Sequence, residues 1–296
     1  MKKFCLLFAM SLAMIVSYAQ GTVAGNVEAV SVEEPIGERP IKFNASFQFG
    51  ASNIANHYIS AQECSGLTYG MHIDFGRFYT RWENVSWNMA FDYLTSADIV
   101  CGLENAPQTS SMSFTGLNLN YSAFYNWTFG DGLNVKAGGG LDLVGDMTQE
   151  LVYKTNNAVS INLLAQLEAS AGISYVFNFN KWKLGLSGDV SVPFAGLVFT
   201  DSRHESGWGS LFPDGLMDNY DSHLKGTSFS NLQGLDFEFG IKFITKRVSY
   251  DLGIVSDNRW WYVNDIQNYR MDMLLRLGVS FNLVSLKPNK TNLRYF

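Results

Sequence analysis

Beyond position 20 the chain has no run of eighteen apolar residues, which excludes a membrane-spanning helix in that part. Positive charge is also scarce. Lys+Arg number 21 against Asp+Glu 27, a formal net charge of −6 at pH 7. Nucleic-acid partners require a basic face, so that class is excluded. There are only three cysteines, and none follows the small-residue site ending at Ala19, so a lipid-anchored lipoprotein is not expected. No nucleophile with a base beside it and no standard metal-ligand spacing is visible. The sequence therefore assigns no catalytic residue, no cofactor and no metal.

The N-terminus does carry a signal. Lys2 and Lys3 precede an apolar run over 4–16 that is too short to span, followed by Ser17, Tyr18 and Ala19. That order is expected to direct export, with cleavage after Ala19. Losing Lys2 and Lys3 moves the charge to about −8 and makes a basic partner still less suitable. Residues 20–40 show no clear period and read as a periplasmic lead-in.

From position 41 the pattern changes to strict alternation. In the last repeat, 269–283, odd positions hold Tyr269, Met271, Met273, Leu275, Leu277, Val279, Phe281 and Leu283, while even positions include Arg270, Asp272 and Arg276. Period two means a β-strand with one apolar and one polar face. A run of about fifteen residues is long for a soluble strand, of suitable length to cross a bilayer at a tilt, and charged on a face that a dry core would reject. The pattern recurs about ten times over 41–283. Short connections near 79–84, 130–132, 178–181 and 245–247 alternate with longer ones over 51–65, 96–111, 146–160, 195–234 and 256–268.

Short turns alternating with long loops mark an all-β transmembrane barrel, antiparallel and up-and-down, with both termini on the short-turn side. About ten strands are expected, with eight or twelve as alternatives. A soluble β-sandwich also alternates. It gives no reason, however, for aromatics such as Phe43, Phe75, Phe78, Trp82, Trp127, Phe129, Phe179 and Trp182 to gather near the short turns, where a membrane barrel has an interfacial girdle.

With its signal and these repeats, the chain resembles small outer-membrane β-barrels of Gram-negative bacteria, of the Bacteroidota type. The resemblance implies an outer-membrane location with periplasmic termini, contact with outer-membrane lipid, and recognition of the last strand by the assembly machinery through Phe281. It brings no catalytic motif. A tail over 284–296 departs from the pattern.

The inward faces gather both signs of charge: His72, Asp74, Asp92, Lys136, Asp142, Glu168, Asp189, Asp236, Glu238, Lys242, Asp251, Arg270, Asp272 and Arg276. A barrel of this size is nearly filled by its side chains, so an ion-pair network is expected, or else a narrow hydrated pore. His72 and Asp92 should be direct neighbours. Such a pair could serve a catalyst, but no nucleophile accompanies it. Asp201, His204, Glu205, Asp221 and His223 share the longest loop. They offer an alternative, an omptin-like or lipid-acting hydrolase at the extracellular rim, although omptin-type site pairs cannot be matched here. Cys64 and Cys101 fall side by side at the outer rim and are expected to form a disulfide, provided a bulge corrects their opposite parity. The expected function is a non-enzymatic outer-membrane barrel, a narrow pore or a carrier of binding loops, whose extracellular ligand the sequence leaves unknown.

Overall fold

The computed structural model describes residues 41–59, 63–79, 84–102, 110–129, 132–151, 159–179, 182–200, 223–245 and 248–282. The expected signal and lead-in, the tail, Trp82, and Asp201, His204, Glu205 and Asp221 lie outside the described residues.

Eleven strands follow in order: β1 (Lys42–Asn56), β2 (Cys64–Phe78), β3 (Val85–Cys101), β4 (Ser110–Phe129), β5 (Leu133–Glu150), β6 (Val159–Phe179), β7 (Trp182–Phe199), β8 (Leu224–Ser228), β9 (Leu232–Ile244), β10 (Ser249–Val263) and β11 (Ile266–Asn282). All pairings are antiparallel, and β1 closes on β11. β8 and β9 lie end to end along β7 and form one stave, so the fold is a closed ten-stranded barrel.

One row of cross-strand partners measures the stagger. It runs from Phe78 through Ser86, Phe124, Gly138, Ser170, Ser191, Asp236, Asp257, Asp272 and Ser52, and returns to β2 at Gly66. Position 78 has become position 66, a stagger of 12 residues. A closed wall with stagger must lean its strands, by about 35–45°.

Alternation decides which side chains go where. Outward positions expose Leu, Ile, Phe, Tyr and Trp, while inward positions bury Asn, Ser, Gln, Asp and Arg. Among the aromatics placed near the short turns, Trp127, Phe129, Phe179 and Trp182 are exposed on the outer surface. Phe78 differs: it is buried and lines the lumen, because even positions of β2 face inward.

The long connection expected over 256–268 is instead a hairpin. β10 runs on to Val263, and only Asn264 and Asp265 turn the chain, both with left-handed φ of 56° and 59°. Two residues at positive φ suit the twist of a tight hairpin, and Asn and Asp accept that conformation more readily than other residues with a side chain. Tyr262 donates its hydroxyl to Asp265 at 3.2 Å and steadies the turn.

A bulge sits on β3. Its register shifts against β4 between Ser96 and Ile99, and against β2 between the partners of Ser65 and Tyr69. One extra residue reverses the parity of the strand end, so Cys101 turns inward as Cys64 does. The two are direct cross-strand partners, fully buried, with their Sγ atoms bonded. Thiol labelling of unreduced, denatured protein from which residues 1–19 have been removed is expected to find no reactive thiol. Two labelled cysteines would contradict the bond.

Candidate functional site

Charged inward residues meet in direct register. Asp236, Asp257 and Asp272 are consecutive partners on β9, β10 and β11, and Arg259 pairs with Arg270 two positions further along. Like charges placed directly opposite each other on neighbouring strands are destabilising. The rows offset this by alternating in sign. Arg259 reaches Asp257 at 3.2 Å, Asp142 at 3.1 Å and Asp236 at 3.7 Å, and Arg270 reaches Asp272 at 2.5 Å and Asp146 at 2.6 Å. Ser52 donates to the other carboxylate oxygen of Asp272. Glycine makes room for the reach. A Cβ on Gly116 would stand 3.2 Å from both Arg270 Nη1 and Asp146 Oδ1.

Closer to the short turns, His72 places Nδ1 2.8 Å from Asp92 and Nε2 3.2 Å from Asp74. Both ring nitrogens are engaged and the side chain is buried, so no free nitrogen faces a substrate. Arg276 bridges to Glu238 at 2.8 Å and approaches Asp92 at 4.0 Å. Lys242 meets Asp251 at 3.0 Å, and Lys136 meets Asp189 at 2.7 Å across Gly172, where a Cβ would collide with Asp189.

All fourteen inward residues named from the sequence line one cavity of about 340 Å³. Its lining extends to Lys42, Phe78 and Ser86 at the short-turn ends of the strands. On the loop side it stops at Leu94, Arg259, Arg270 and Leu274. Beyond that level the barrel holds two buried apolar clusters together with buried polar side chains such as Asn56, Thr148, Asn162 and Asn268. One cluster contains Ile54, Ile99, Met112, Phe114, Leu274 and the disulfide; the other contains Val144, Leu164, Val198, Leu232, Trp261 and Val263. Phe114 lays its ring 4.8 Å from the Arg270 guanidinium, joining apolar cap to charged row.

Sequence reasoning left out Asp146, Asp257 and Arg259 because it assigned their positions to loops. Continued past Ser256, the inward parity of Asp251 would have reached both Asp257 and Arg259. Gln166, which the alternation puts on the same polar face as Glu168, is buried and donates to Asp142 and to Glu168 at 2.9 Å each. His223 lies at the loop-side end of β7, beside Thr200. It is fully buried, with Nδ1 3.0 Å from the Thr200 carbonyl oxygen and its ring 5.8 Å from that of Phe199.

The chain is similar to several solved barrels. Neisserial surface protein A shares 10% identity over 82% of this chain and 97% of its own, with a TM-score of 0.33. The translocator domain of the autotransporter NalP from Neisseria meningitidis shares 11% over 95% and 98%, with a TM-score of 0.39. The outer membrane protease OmpT from Escherichia coli shares 7% over 86% and 99%, with a TM-score of 0.44. A search of curated proteins finds no match. Residues 5–290 match the family described as "Protein of unknown function (DUF3316)", and the chain belongs to that family.

Proposed function

We propose that this protein is a closed, non-enzymatic barrel of the bacterial outer membrane, with its termini and short turns in the periplasm and its loop side offered to the exterior. One observation carries the reading: the loop-side half of the lumen holds two buried apolar clusters set on paired Arg–Asp rows. Solute cannot pass without breaking buried ion pairs, so the cavity is blind. The exposed apolar exterior favours lipid as its surroundings, and Phe281 on the last strand is the expected contact for the assembly machinery. Among the described residues nothing favours a hydrolase at the rim: His72 is engaged on both sides and His223 is buried.

Purified protein in planar bilayers is expected to show no steady conductance at neutral pH, and liposomes carrying it should not swell in isosmotic sugar. A stable, porin-like conductance would overturn the closed reading.

A further inference from the structure

The loop-side end of the cavity holds more carboxylate than it pairs. Asp142, Asp236 and Asp257 all converge on Arg259, at 3.1, 3.7 and 3.2 Å. Glu168 joins them through Gln166, which donates to Asp142 and Glu168 alike. Three carboxylates thus share one guanidinium with a fourth, Glu168, beside them, and the neighbouring Arg270 is occupied by Asp146 and Asp272. Charges taken out of water need opposite charges beside them.

A separate observation concerns neutral acceptors. Asn44 is 6% exposed and lines the same cavity near the short-turn end of β1, and its Oδ1 has no hydrogen-bond donor. Asp142, 1% exposed at the middle of β5, likewise leaves Oδ1 without a donor. Lone acceptors at both levels of one cavity call for an occupant with several N–H groups spaced apart. A single metal ion does not suit them, because among the described residues no three His, Cys, Asp or Glu side chains converge as ligands.

We propose that the cavity binds an elongated organic cation, a di- or polyamine. Its inner ammonium would stand among Asp142, Glu168, Asp236 and Asp257, and its outer N–H groups would reach toward Asn44. An ammonium has three donors and no acceptor, which matches the carboxylates and the Asn44 amide oxygen. A cavity of about 340 Å³ lies within the range of small-molecule sites, roughly 300–1,000 Å³. Access is from the short-turn mouth, and that direction alone rests on the closed-barrel reading.

The test is calorimetric titration of the full mature chain in detergent with spermidine. Magnesium chloride at equal ionic strength and a neutral diol of similar length serve as controls. Saturable one-to-one binding is expected for spermidine alone. Glu168→Gln should weaken it about tenfold or more, the effect of losing one charge-assisted hydrogen bond. Absence of saturable heat, or binding that magnesium at equal ionic strength abolishes, overturns the proposal. If Glu168→Gln fails to fold, the wild-type titration with its controls decides. A conducting barrel would defeat the closed reading while leaving the titration intact.

Discussion

Replacing Arg259 with leucine is expected to destabilise the folded barrel by about 3–5 kcal/mol, the usual cost of removing one partner from a buried ion pair. Arg259 is 2% exposed and is the guanidinium on which Asp142, Asp236 and Asp257 converge. Without it, the three aspartates stand together and lose the cation they share. Arg259→Lys keeps the charge but loses the planar fork that serves several carboxylates at once, so an intermediate loss is expected. Urea titration of the protein folded in lipid, read by heat-modifiable mobility and tryptophan emission, measures both. Equal midpoints for wild type and Arg259→Leu would mean that the charged rows do not stabilise this barrel.

A change of similar size is expected on the opposite surface. Leu277 is 46% exposed on the outer face of β11, in the half nearer the short turns. Placing arginine there should cost about 2–4 kcal/mol, the penalty for a charge facing the bilayer midplane. Asn120 lines the lumen cavity beside Glu168, so Asn120→Arg meets a carboxylate and should cost far less. Gly278 faces inward too but is no equivalent control: a Cβ there would stand 2.7 Å from Ser46 Cβ. The same unfolding assay applies. If Asn120→Arg destabilises more than Leu277→Arg, the inner and outer faces have been exchanged.

The two faces were readable from the sequence wherever one of them was apolar, and there the staves emerged in number and order. Reading failed where the outward face turns polar. On β4 the outward side chains change from Leu117 to Thr115 and Ser113, and on β10 from Ile254 to Ser256 and Asn258. On β4 the alternation inverts, with Met112 and Phe114 now inward, and on β10 it vanishes between Ser256 and Arg259; the backbone ladder continues in both, so strand was read as loop and Asp257 and Arg259 disappeared from the lumen. The split of one stave into β8 and β9 also escaped, because Leu224–Ser228 is too short to establish a period. The neighbourhood of Cys64 and Cys101 could be derived from pairing register alone. Their common direction could not, since it depends on the extra residue of β3.

Strand length has an effect of its own at the loop side. β4 has 20 residues and β6 has 21. At about 3.3 Å per residue and a lean of about 40°, such a strand rises roughly 50 Å. The apolar belt of an outer-membrane barrel is only about 25 Å tall. Set in the outer membrane as proposed, this barrel stands well clear of the lipid as a stiff collar, stitched at its rim by Cys64–Cys101 and turned tightly at Asn264 and Asp265. A molecule landing on that collar meets a surface already held in shape, and little conformational freedom is lost in binding there.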